Sequence, residues 1–213
     1  MTGDGATAGS SASQAARPVP LLNIANVLTV SRLVLVPVFL LALLQEGGHD
    51  EVWRWVATAI FLIASITDRV DGDLARRRGL VTDFGKIADP IADKALTGSA
   101  LVGLSALGDL GWWITLVIVG REVFVTLLRF WVIRHGVIPA SRGGKLKTLL
   151  QAVAIVLYLM PLHQLPYGGY AELVAQLVMA AAVLVTVVTG LDYAVRAVRL
   201  RAAGRSTAEG DDA

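Results

Sequence analysis

TDRVDGDLARRRGLVTDFGKIADPIADK, residues 67–94, lies between two strongly apolar stretches. Asp68 and Asp71 are spaced i, i+3, and Asp89 and Asp93 are spaced i, i+4. Either spacing puts both carboxylates of a pair on one face of a helix. At about 100° per residue, Asp68, Asp71, Gly72, Ala75 and Arg76 fall within an arc of about 140°. One helical face therefore carries two acids, a glycine, an alanine and an arginine, and a second helix adds two more acids. Carboxylates at the end of a membrane segment are costly unless they are paired or bound to a cation. Four that converge repel one another unless a metal sits between them. Gly72 and Ala75 leave room for close approach of a bulky ligand, and Arg76 offers a planar fork to phosphate oxygens. The face suits a nucleotide diphosphate whose charge is neutralised by divalent cations.

Written as a pattern, the stretch is D-x2-D-G-x2-A-R-x8-G-x3-D-x3-D. Asp68, Asp71, Gly72, Ala75, Arg76, Gly85, Asp89 and Asp93 meet it at every fixed position. This resembles the CDP-alcohol phosphotransferase family of membrane enzymes. The bland alternative, a chance run of helix caps and solvated charges, leaves unexplained why the acids abut apolar spans on both sides. The resemblance implies transfer of a phosphatidyl group from CDP-diacylglycerol to an alcohol, with release of CMP. It also implies that Asp68, Asp71 and Asp89 hold two Mg²⁺ ions, with Mn²⁺ as the alternative metal. Under the same resemblance Asp93 is the general base and a further metal ligand, Gly72, Arg76 and Thr82 contact the CDP moiety, and the protein is a homodimer. Arg69 and Asp73, at variable positions of the pattern, are more charged than expected and do not break it.

Composition agrees with a membrane protein. Of 213 residues, 55% are hydrophobic, and the mean hydropathy is +0.64. That is too apolar for an average soluble domain and points to an all-α, polytopic membrane protein. The chain has no cysteine, which excludes disulfides, thiolate metal sites and cysteine nucleophiles. The net charge of +2 is small, and its distribution matters more than its size. No P-loop, HExxH or Ser-His-Asp arrangement is present, and no nucleic-acid partner is expected. His49, His135 and His163 lie in or beside loops and read as surface residues.

Residues 1–20 are rich in Gly, Ala, Ser and Thr and read as a disordered tail rather than a signal peptide. Leu21 to Asn26 could form a short interfacial helix before the first span, about 27–44. NIANVLTVSRLVLVP, residues 23–37, resembles the start of the family members that form phosphatidylglycerophosphate. Asn26 and Thr29, about one turn apart, either face the nucleotide or cap the helix. Further spans are expected over about 53–67, from the second acid pair to about 107, and over about 113–133, 146–162 and 173–191. Residues 21–203 thus form one six-helix membrane domain, and 204–213 a second disordered tail. GREVFVTLLRFW, residues 120–131, and GGKLKT, residues 143–148, resemble the same phosphatidylglycerophosphate-forming members, whose acceptor is glycerol 3-phosphate. On that resemblance Arg121, Arg129, Lys145 and Lys147 hold the acceptor phosphate. Arg121 and Glu122 have a structural alternative as an Arg–Glu pair that locks two helices. The other acceptors weighed are phosphatidylglycerol, as in a cardiolipin synthase of this family, and an inositol phosphate. A divalent-cation transporter is the reading outside the class, and it leaves Gly72, Ala75 and Arg76 unexplained.

Basic residues cluster at the N-terminus, between spans two and three, between four and five, and after six. Under the positive-inside rule both termini and the 68–93 motif face the cytoplasm, in a multi-pass protein of the cell membrane. Cysteines introduced singly near Gly79 and Gly143 should therefore be labelled from the cytoplasmic side, and those near Gly48 and Gly168 from outside. The reverse labelling pattern would overturn this topology.

Overall fold

The structure, a computed structural model, describes the backbone of residues 24–78, 83–132 and 142–211, and side chains at residues 27, 29–67, 91, 92, 94–132 and 143–201. Among these residues there are six α-helices and no strand. They are α1 (Ile24–Leu44), α2 (Glu51–Arg78), α3 (Asp83–Ala106), α4 (Trp112–Val132), α5 (Arg142–Leu159) and α6 (Gly168–Asp211). Short 3-10 turns at Gln45–Gly48 and Leu162–Gln164 lie in the α1–α2 and α5–α6 connections.

Local chemistry sets several helix ends. Asp50 accepts a hydrogen bond from the Trp53 backbone N–H at 2.9 Å, satisfying one of the orphan donors that open α2. Gly108, in the left-handed region at φ 85°, closes α3, with the Asp109 amide donating back to the Leu104 carbonyl at 3.0 Å. At the start of the chain, Ile24 to Asn26 already belong to α1, because nothing there breaks the helix before the first span. The described part of the expected interfacial helix is therefore continuous with the span. At the other end α6 runs on to Asp211, through residues that composition assigns to a disordered tail. Arg, Ala and Glu are good helix formers, and extending an existing helix avoids the cost of nucleation.

The helices pack as two trios. α1 lies against α2 and α3, while α6 lies against α4 and α5. Contacts of α5 with α2 and α3, and of α3 with α4, join the trios. The shared core holds Phe39, Leu43, Phe61, Leu101, Leu104, Ile118, Ile155, Leu159 and Met179, all buried. Phe39 and Phe61 meet as a tilted ring pair with centroids 5.9 Å apart. α1 and α3 approach closely at Gly103, where an added Cβ would stand 2.7 Å from Leu43 Cδ2.

The exterior is as apolar as the core, and several polar side chains lie inside. Thr58, Ser105, Thr115, Lys147, Gln151 and Thr186 are buried, while Leu41, Ile63, Leu116, Leu127, Phe130, Leu177 and Leu184 are exposed. Soluble monomers rarely present so continuous an apolar exterior. Two described segments, Thr29–Gly48 and Gly168–Arg201, are long and apolar enough to cross a bilayer. Two of the six expected spans are thus of membrane-crossing length and hydropathy. α2, α3, α4 and α5 are of comparable length but carry charged residues within them.

One end of the bundle is tied together by Arg54 at the start of α2 and Asp109 in the α3–α4 turn, which form an ion pair. The α5–α6 connection joins them around a polar cavity of about 250 Å³ lined by Arg54, Asp109, His163 and Glu172. Exposed Trp53, Trp55, Trp112, Trp113, Tyr167 and Tyr170 stand at this same end, as an interface belt would. The close of α2 and the opening of α3, which carry the acidic motif, lie at the opposite end.

Two substitutions test the packing. Gly103→Val overfills the α1–α3 contact and should cost about 1–3 kcal/mol. Gly120→Ala, which meets nothing within 4 Å, should be neutral or gain up to about 1 kcal/mol of helix propensity. Thermal unfolding in detergent reads both, and equal midpoints for the two variants would contradict the packing.

Candidate active site

Backbone register brings the acidic motif onto two packed neighbours. α2 carries Asp68, Asp71, Gly72 and Arg76 near its end, and α3 carries Asp89 and Asp93 near its start. Each acid pair is thus held one helical turn apart. The side chains of these six residues and of Asn26, and Thr82 altogether, lie outside the described residues. Thr29, by contrast, is described and is buried in α1.

Inward from the acids, described side chains line a cavity of about 300 Å³ between α1, α2, α3, α4 and α5. Ser65 on its wall is one turn before Asp68, and Thr97 is one turn after Asp93. Three cations line it: Arg32 from α1, Lys94 from α3 and Lys147 from α5. Glu122 of α4 is the one carboxylate among the described lining residues. Apolar Phe61, Leu101, Ile118 and Val119 complete the inner wall. A low-dielectric lining strengthens each charge inside it.

The cations are anchored rather than loose. Lys147 is ion-paired with Glu122, and Lys94 donates to Thr126 Oγ1. Thr126 in turn donates to the Glu122 carbonyl at 2.7 Å. Arg121 Nη1 donates to Glu122 Oε1 at 3.1 Å, and Arg121 Nη2 donates to Thr189 Oγ1 of α6 at 3.1 Å. Gln151 Nε2 donates to Thr186 Oγ1 at 3.2 Å, a second polar link between α5 and α6.

Of the four basic residues grouped by the sequence pattern, Lys147 is the one that lines the cavity. Arg121 stands one position, about 100°, around α4 from Glu122 and so meets α6 instead. Arg129 shares the face of Glu122 but lies about two turns beyond it and is exposed, as is Lys145. Lys94 and Gln151, which sequence reading did not single out, take places on the wall. The signal for Lys94 was present: an ionisable residue at the head of an apolar span is a functional candidate by default.

A membrane-type helical bundle that sets two carboxylate pairs one turn from a cation-lined cavity has the build of a lipid-modifying phosphotransferase. The family model described as CDP-alcohol phosphatidyltransferase matches residues 22–188, and the chain belongs to this family. It is 60% identical over 179 residues to a probable phosphatidylglycerophosphate synthase of Mycobacterium tuberculosis, covering 84% of this chain and 83% of that one. It is 38% identical over 183 residues to the CDP-diacylglycerol–glycerol-3-phosphate 3-phosphatidyltransferase of Bacillus subtilis, covering 81% and 94%. A protein with that same name from Rickettsia felis is 34% identical over 174 residues, covering 80% and 93%. Family and apolar helices together indicate a membrane protein.

The Arg54–Asp109 pair, far from the motif, is expected to act on stability alone. Arg54→Met leaves Asp109 without its partner in a largely buried site and should cost about 3–5 kcal/mol. The expected readout is a lowered unfolding midpoint with unchanged substrate KM values. A variant with a wild-type midpoint, or with altered KM, would contradict this division of labour.

Proposed function

We propose that the chain transfers the phosphatidyl group of CDP-diacylglycerol to glycerol 3-phosphate, giving phosphatidylglycerophosphate and CMP. The observation that carries this reading is the pairing of the acidic motif's register on α2 and α3 with a cation-lined cavity one turn inward. The names borne by the relatives agree with it. In the transfer, the acceptor hydroxyl oxygen bonds to the phosphatidyl phosphorus as the phosphorus–oxygen bond to CMP breaks. Asp93 takes the hydroxyl proton as general base. Arg76 offers a bidentate fork to the nucleotide phosphates, and Gly72 keeps the backbone open to them. Thr82, Asn26 and Thr29 complete the nucleotide site in this reading.

Asp68, Asp71, Asp89 and Asp93 are hard oxygen donors in two one-turn pairs on packed helices, a donor set that fits Mg²⁺. Bound there, Mg²⁺ would neutralise the pyrophosphate and the charge of the departing CMP.

The acceptor phosphate is met by Arg32, Lys94 and Lys147 in the cavity. Its volume of about 300 Å³ lies within the range of small-molecule sites. For the membrane we propose six crossings, with the motif and both termini cytoplasmic. The aromatic belt opposite the motif and the basic residues on the motif's side support this orientation.

Purified protein incubated with CDP-diacylglycerol and a panel of alcohols should release CMP with glycerol 3-phosphate and much less with phosphatidylglycerol or inositol phosphate. Excess chelator should abolish release, and added Mg²⁺ should restore it. Asp93→Asn should lose turnover more completely than nucleotide-lipid binding, while Arg76→Ala should weaken that binding. Lys147→Ala and Lys94→Ala should each lower acceptor kcat/KM roughly ten- to a hundred-fold, with Lys145→Ala and Arg129→Ala near wild type. Preference for phosphatidylglycerol, or full turnover in chelator, would overturn the reading.

A further inference from the structure

We propose that Glu122 is a positioning residue for the acceptor: it holds the Lys147 ammonium on the cavity wall, and is itself held by Arg121 from the α6 side. The proposal rests on the reading of this cavity as the acceptor phosphate site.

The contacts form a chain that runs inward from α6. Thr189 is fixed by donating to the Val185 carbonyl at 2.7 Å and accepts from Arg121 Nη2 at 3.1 Å. Arg121 lies against Gly190, where an added Cβ would stand 3.0 Å from Arg121 Cγ and 3.3 Å from Nε. A side chain at 190 would compete with Arg121 for its place between α4 and α6. From there Arg121 Nη1 donates to Glu122 Oε1 at 3.1 Å, and that same oxygen accepts from Lys147 Nζ. Side-chain exposures of 15% for Arg121, 24% for Glu122 and 8% for Lys147 place the trio largely out of solvent.

The chemistry argues for more than a structural pair. Lysine is a point charge on a flexible four-carbon stem, so its position at a wall depends on what its ammonium meets. An ammonium carries three donors and can hold Glu122 and a phosphate together. Arg121 and Lys147 share one carboxylate, and the apolar lining strengthens each charge among them. Glu122 also stands between two like charges, Arg121 and Lys147, that would otherwise repel. Without the charge of Glu122, Lys147 loses an ion pair that fixes it at the wall. Both Glu122 and Lys147 line the cavity, whereas Arg121 does not. Arg121 therefore acts through Glu122, and Glu122 through Lys147.

The test uses the full chain in detergent, with steady-state kinetics in CDP-diacylglycerol and glycerol 3-phosphate. Glu122→Gln should raise KM for glycerol 3-phosphate roughly ten-fold while kcat and KM for CDP-diacylglycerol stay near wild type. Glu122→Asp keeps the charge that buried Arg121 and Lys147 require for folding but withdraws the carboxylate, and it should shift the same KM in the same direction. In a Lys147→Ala background, Glu122→Gln should add nothing further, because its effect passes through the missing ammonium. A wild-type KM for glycerol 3-phosphate in both Glu122 variants, beside a raised KM in Lys147→Ala, would overturn the proposal and leave the acceptor site standing. So would effects of Glu122→Gln and Lys147→Ala that simply multiply. A wild-type KM in Lys147→Ala would instead remove the acceptor site, and the proposal with it.

Discussion

Charge in an apolar surrounding must be paired, hydrated or bound to a cation, and most of this bundle can be read as an answer to that demand. Moving an ion out of water costs several kcal/mol even after relaxation, and removing one partner of a buried pair exposes that cost. Arg54 meets Asp109 at one end of the bundle, and Arg121 and Lys147 share Glu122 near the middle. Lys94 reaches a threonine hydroxyl. Arg201, where α6 emerges, stacks over Trp131 at 3.9 Å from the ring centroid. Most of these contacts cross from one element to another, so satisfying the charges also helps to set which helices become neighbours.

The same demand separates the two ends of the molecule. The end with the aromatic belt closes on the Arg54–Asp109 ion pair and a cavity whose polar residues lie outside the acidic motif. The other end carries the acid pairs on α2 and α3 and, inward of them, cations of α1, α3 and α5 around one cavity. That asymmetry suits chemistry on a charged, water-borne acceptor and a lipid-borne nucleotide, which must meet at one membrane surface. Small residues permit the close approaches: Gly103 lets α1 reach α3, and Gly190 admits Arg121 between α4 and α6.

Much of this was legible in the chain itself. The spacing of Asp68, Asp71, Asp89 and Asp93 states a helical register, and α2 and α3 carry them in that register. The apolar runs mark the helices to within a few residues at most ends. Helix propensity near the C-terminus was harder to read, since a polar, charged composition fits both a disordered tail and the continued end of a long helix. The four basic residues 121, 129, 145 and 147 show a sharper limit. Sequence spacing says which residues share a face of one helix, but the rotation of that helix within the bundle says which face meets the cavity. A single step of about 100° separates Glu122 on the wall from Arg121 against α6.

By itself, then, the sequence determined the helical class, the paired acids and the family, because periodicity and fixed spacing are properties of one helix or of two consecutive ones. Tertiary structure alone decided that Lys94, Lys147 and Arg32 surround one cavity and that Glu122 bridges Arg121 and Lys147. Those residues come from α1, α3, α4 and α5, and no local rule relates their rotations. Their meeting follows from how helices pack to bury small and apolar faces and to pair charges between them.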